Sequence, residues 1–206
     1  HKTLSHKTNY NLLLLTAKHN HASLPLLLTT IKTFPILDQE DIFTCRGQKG
    51  ETLLNLILEQ NQTQLLPLIF EHIATFRNDI RGSIYLSGGY NGYSHLFIQV
   101  LAHHIDLLPL FLAQVKSLNY YDIRLLFTTE DKNDLTLLTK SLKEYPEAVP
   151  KLLKFLGELP LHVTNKILNS ASHAYILHLA IQMDCSHLED ILCLLKRLPT
   201  KDKELF

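Results

Sequence analysis

Cys185 and His187 are the only thiol and imidazole that stand within two residues of each other in the chain. A nucleophilic cysteine needs a nearby base and a lowered pKa. Cys185 falls in a polar turn without a protease-type signature, and Cys193 falls in a helical apolar stripe that predicts a core position. Zinc needs about four convergent ligands, and the chain contains no Cys-x-x-Cys. His19, His21, His103, His104 and His187 stand in or near polar turns. Neighbours such as His103 and His104 diverge by about 100° on a helix, which argues against a shared ion. Ser87-Gly88-Gly89 matches no phosphate-cradling loop. Asp38, Glu40 and Asp41, with Glu130, Asp131 and Asp134, predict solvated connections or an acidic rim rather than an acid–base pair. The sequence therefore predicts no catalytic residue, no metal and no cofactor.

Binding chemistry is better represented. Tyr85, Tyr90 and Tyr93 cluster around Ser87-Gly88-Gly89 and Asn91-Gly92, and Tyr120 and Tyr121 precede Arg124. Tyrosine offers a large contact area at low entropy cost. Phe43 and Phe127 align with Tyr85, which predicts that Tyr85 packs inward; Tyr90 sits in a polar, glycine-bearing turn and is expected at the surface. The predicted contacts for a partner are Tyr90, Arg46, Lys49, Arg124 and Lys132. Lys140, Lys143, Lys151, Lys154, Lys196, Arg197, Lys201 and Lys203 gather in the last third, but Glu144, Glu147 and Glu158 interrupt them. They read as a solvated face.

A repeating framework positions these residues. Leu24-Pro25-Leu26 returns as Leu66-Pro67-Leu68 and Leu108-Pro109-Leu110, then as Val149-Pro150-Lys151 and, without the proline, Leu188-Glu189-Asp190. The offsets are 42, 42, 41 and 39. Proline is tolerated in the first turn of a helix, where its missing N–H would be unpaired anyway, so each copy predicts a helix start. An apolar helical stretch precedes each: roughly 12–19, 52–61, 94–104, 135–144 and 175–183. The units fall near 10–35, 51–77, 93–119, 135–160 and 174–199. About 15 residues link successive units and repeat as well, as in Ile42-Phe43-Thr44, Ile84-Tyr85-Leu86 and Leu126-Phe127-Thr128. They read as finger-like connections: hairpins, loops, or a helical turn and a loop. Such a pair cannot bury its apolar face alone, so neighbours must stack. The expected architecture is an all-α solenoid of about five antiparallel helix pairs in one domain over residues 1–206.

Composition sets the outer limits. Of 206 residues, 46% are hydrophobic and 20 basic residues balance 20 acidic ones, which excludes a disordered chain and argues against a nucleic-acid-binding face. The longest apolar runs are four or five residues, too short for a membrane span. Three cysteines, an odd and small number, fit a reducing compartment, so a cytoplasmic location is expected. The chain starts at His1 without Met and ends on Leu205-Phe206, and we expect it to be a piece of a longer protein.

Gln48-Lys49-Gly50-Glu51-Thr52-Leu53-Leu54 resembles the turn-into-helix signature of ankyrin repeats, as does Ile176-Leu177-His178-Leu179-Ala180 running on to Leu188-Glu189. The resemblance covers most of the chain, with recognisable motif words in two units. The units exceed the usual length of about 33 residues by about eight, and the glycine between the family's helices is absent. HEAT-like or armadillo-like pairs, with periods near 40, are the rival. What the resemblance implies is a module that binds another protein through finger tips and the inner helix face, with no catalytic residue to carry over; the chain is expected to be monomeric. It also implies a structural hydrogen bond for His178. Ankyrin-like arrays occur in effectors that intracellular bacteria deliver into host cells, and the Asn, Lys and His usage fits such an origin. An internal scaffold for a catalytic domain of the same chain is the alternative, and a Cys185–His187 enzyme fragment a more distant one.

Overall fold

The computed structural model describes residues 12–47, 50–86, 95–131, 133–168, 176–182 and 187–197. Among them are fourteen α-helices, four short 3-10 turns and no strand, as expected of an all-α chain. No single helix is long and apolar enough to cross a membrane. The sequence reads as one domain; the packing separates two compact units, residues 1–90 with 94–99, and residues 91–93 with 100–206.

The first unit contains α1 (Leu12–His19), α2 (Leu24–Ile31), α3 (Ile36–Thr44), α4 (Leu53–Glu59), α5 (Leu66–Ile73) and α6 (Asn78–Tyr85). Pro25 and Pro67 occupy the first turns of α2 and α5, where the sequence places them. α1 packs against α2 and α4, and α3 against α6. Leu13, Leu14, Leu28, Leu54, Ile57, Leu66 and Ile69 are buried at the helical spacing that predicts one apolar face. Each such side chain contributes about 1.5–3 kcal/mol on leaving water. α7 (His95–His103) begins in this unit, and its residues from Val100 onward belong to the second. Asn55 Nδ2 donates to Gln99 Oε1 at 3.1 Å, and Gln99 Nε2 returns a bond to the Asn55 carbonyl at 3.2 Å. Two buried amides thus satisfy each other across α4 and the first half of α7.

The second unit continues with α8 (Leu108–Val115), α9 (Tyr120–Thr128), α10 (Leu137–Glu144), α11 (Val149–Glu158), α12 (Leu161–Leu168), α13 (Ile176–Gln182) and α14 (Leu188–Lys196). Pro109 and Pro150 again open helices. α9 packs on α10 and α12, α10 on α11 and α13, and α11 on α8 and α14. Phe127 and Phe155 stack at 5.7 Å in its core.

The finger-like connections are helices: α3, α6, α9 and α12 run through the segments between successive units. The periodicity of α3 hides this because its faces are inverted. Gln39 and Glu40 are buried while Ile36 and Leu37 are exposed. A hydropathy pattern reads that as a polar loop.

Candidate functional site

Two turns follow connecting helices and carry predicted contact residues: 45–51 after α3 and 129–135 after α9. Among their described residues the backbone hydrogen bonds match. Gly47 N–H donates to the Glu51 carbonyl at 2.8 Å, and Gly50 N–H to the Gly47 carbonyl at 3.0 Å. Asp131 N–H donates to Leu135 at 2.9 Å, and Asp134 N–H to Asp131 at 3.0 Å. Gly50 and Asp134, at the same place, both have positive φ, 80° and 58°. Each turn then enters a capping box. Thr52 Oγ1 accepts from Asn55 N–H while Asn55 Oδ1 accepts from Thr52 N–H, and Thr136 with Thr139 does the same.

The side chains differ. Asp131 Oδ1 accepts the N–H groups of Asn133 at 2.7 Å and Leu135 at 3.1 Å, and Oδ2 lies 3.5 Å from Lys140 Nζ. Burial pushes the Asp131 carboxyl up, but these amides and Lys140 outweigh it and hold its pKa below the usual value. Lys140 also reaches Glu144 at 2.9 Å; burial lowers its pKa, and the two carboxylates raise it further than burial lowers it. Asp131 and Lys140 are therefore turn fasteners, not parts of an acidic rim or a solvated basic face. Glu40 departs from expectation in the same way. Buried at 2% exposure, its carboxylate accepts both the backbone N–H of Arg77 at 3.1 Å and Arg77 Nε at 3.1 Å.

Next to Glu40, Gln39 Oε1 lies 2.8 Å from His72 Nε2, and Gln39 Nε2 donates to the Phe34 carbonyl at 2.7 Å. His72 packs against Phe43 at 4.6 Å and Phe76 at 5.5 Å between ring centroids. Burial, aided by Lys32, lowers the His72 pKa to about 4. This histidine was not signalled by the sequence, since its position in other copies holds Thr30 and Gln114. The network is buried and joins α3 to α5 and α6, while the second ring nitrogen of His72, Nδ1, is buried without a hydrogen-bond partner.

An outward cluster stands on α9 and α12. Tyr120 and Tyr121 are 50% and 63% exposed, while Ile123, Leu126 and Phe127 on the other side of α9 are buried. Asn119 caps the helix by accepting the Asp122 N–H at 2.9 Å. The Arg124 guanidinium lies over the Tyr121 ring, 5.5 Å from its centroid. The Tyr120 ring meets His162 edge-on at 5.6 Å. Leu125 and Leu161 add exposed apolar surface.

Of the predicted contacts, Arg124 stands in this cluster, and Arg46 is exposed on the 45–51 turn of the other unit. Tyr90, Lys49 and Lys132 lie outside the described residues, as do Tyr93 and Cys185. Tyr85 is buried as expected, 6.1 Å from Phe70, and burial raises the pKa of its phenol. Cys193 is exposed, not core, because α14 turns Ile191, Leu194 and Leu195 inward and Cys193 falls on the opposite side. His178 is exposed on α13. His187 Nδ1 lies 3.4 Å from Asp190 Oδ2. Among the described residues, no three of His, Cys, Asp or Glu converge as metal ligands. An open groove of about 350 Å³ between α11 and α14 is lined by Pro150, Leu153, Lys154, Asp190, Cys193 and Arg197 among others. No protein-family model matches the chain, and comparisons with curated proteins and with solved structures return no match.

Proposed function

We propose that the chain is an ankyrin-like helical solenoid that acts as a protein–protein interaction module. The recurring order of a helix, a 3-10 turn, a proline-opened helix and a connecting helix supports the solenoid. The observation that carries the function is the exposed Tyr120 and Tyr121, with the half-buried Arg124 guanidinium over the Tyr121 ring, on a helix whose opposite face is buried. Tyrosine and arginine dominate binding hot spots. A helix fixed by its own core presents them with little ordering cost on association.

The test is capture from cytosolic lysate by the immobilised chain beside a Tyr121→Ala, Arg124→Ala version. A partner retained by the first and lost by the second, with equal helical circular dichroism, supports the module. Identical capture by both removes this face from it.

The second reading, an internal scaffold, draws on one observation: Leu12, Leu15 and Leu26 of α1 and α2 are exposed. A scaffold would use such surface to pack on another domain or a second copy. Sedimentation of the chain as a monomer over a wide concentration range, beside captured partners, favours the module.

A further inference from the structure

Tyr120 and Arg124 stand one helical turn apart on α9, and His162 and Lys166 stand one turn apart on α12. The edge-on contact between Tyr120 and His162 therefore brings the Tyr120/Arg124 flank of α9 to the His162/Lys166 flank of α12. Arg124 and Lys166 thus stand one turn from the two members of an exposed aromatic pair, the Arg124 guanidinium over the Tyr121 ring, and Tyr121 and Leu161 add exposed apolar surface. The charge here is uncompensated. Elsewhere Lys32 meets Glu71 at 3.0 Å, Lys116 meets Glu158 at 2.8 Å, and Lys140 meets two carboxylates. Among the described residues neither Arg124 nor Lys166 has a carboxylate partner. The one carboxylate on these two helices is Asp122; it accepts the Asn119 side-chain amide at 2.6 Å and lies about 200° around α9 from Tyr120.

We infer that this face docks an acidic polypeptide segment of a partner protein, with carboxylates on Arg124 and Lys166 and apolar side chains on Tyr121 and Leu161. The inference rests on the interaction-module reading and names the partner's chemistry. Guanidinium takes a carboxylate in bidentate fashion. The tyrosine faces and Leu161 supply the desolvated anchors that hold such a segment. Two cations on one short face, in a chain of zero net charge, do not form the extended basic track that a nucleic acid requires.

The experiment is selection from a displayed library of random short peptides against the whole chain. Selected sequences are then measured against an Arg124→Glu, Lys166→Glu version and the milder Arg124→Ala, Lys166→Ala version. The expected result is enrichment of Asp and Glu beside Leu, Phe or Tyr. Affinity should fall about 100-fold on charge reversal and about tenfold with alanine, and weaken as salt rises. Circular dichroism confirms folding, and the alanine pair carries the test where the reversal does not fold. Selected peptides without acidic excess, or indifferent to both variants, overturn the inference and leave the module standing. Failure to select any peptide, while lysate capture through Tyr121 and Arg124 succeeds, overturns the acidic-segment inference alone. Failure of both selection and capture overturns both. Retention of single-stranded RNA through the same residues overturns it in favour of nucleic acid.

Discussion

The two units fasten equivalent connecting helices by different means. In the first, α3 is held by polar groups: Glu40 on Arg77, and Gln39 on His72 beside Phe43. In the second, α9 places Ile123 and Arg124 at the positions of Gln39 and Glu40, and Phe127 stacks on Phe155. The turns reverse this contrast: the first is built on Gly47 and Gly50, the second on a carboxylate anchored by amides and a lysine. One backbone pattern is thus reached by hydrocarbon or by charge. Where no buried partner requires charge, as at Arg124, the guanidinium lies over the Tyr121 ring instead.

The largest expected effect breaks the polar fastening. Arg77→Ala leaves the Glu40 carboxylate buried with only a backbone N–H and should cost about 3 kcal/mol, read as a shift of the urea midpoint. The replacement Arg124→Ala in the second unit should cost under about 1 kcal/mol, since that side chain is half-buried and, among the described residues, has no carboxylate partner.

Acid should sharpen the difference at His72. Its pKa is about 4 in the folded chain and about 6.5 when unfolded. The folded state therefore binds fewer protons between these values. Stability is full above pH 6.5 and falls as pH drops toward 4, by about 3 kcal/mol in total. His72→Phe, which imitates Phe155, should flatten that slope in urea titrations run across the range; an unchanged slope would assign the acid sensitivity to another group.

Asp131→Ala should cost about 2 kcal/mol, because two amides and Lys140 lose a charged acceptor. The lowered Asp131 pKa means its contribution is present above the unfolded carboxylate pKa and lost as pH falls through the folded value. Hydrogen exchange at Asn133 and Leu135 reports it locally, and the glycine turn should show no such dependence.

The smallest effects concern the positive-φ position. Gly50→Ala should cost about 1–2 kcal/mol in thermal melts, whereas Asp134→Gly should change stability by a few tenths of a kcal/mol at most.

The proline-opened helices and their apolar partners were legible because Pro25, Pro67, Pro109 and Pro150 mark a backbone requirement that no other residue type signals as clearly. Among the connecting helices, α3 was hidden because Gln39 and Glu40 face inward and Ile36 and Leu37 outward, and α9 because exposed Tyr120, Tyr121 and Leu125 blur the period of its buried Ile123, Leu126 and Phe127. Periodicity reports a helix only when its buried face is apolar and its exposed face polar. Asp131 and Lys140 were misread for a related reason: a charge is taken as solvent-facing unless its partner is known, and partners nine residues apart are invisible to local patterns. Arg124 and its tyrosines were legible as a cluster, but the contribution of α12 depends on packing between helices.

The side-chain bonds between helices have one more consequence, for how the chain reaches its fold. Lys32 to Glu71, Asn55 to Gln99, Lys116 to Glu158 and Lys151 to Ile105 span 39, 44, 42 and 46 residues. Each closes a loop of nearly the same length, so the entropy lost is similar from one closure to the next. None of these bonds joins the first residues of the chain to the last. The chain has no need to wait for its end: on the ribosome, each stretch can find its partner as soon as about forty further residues have emerged.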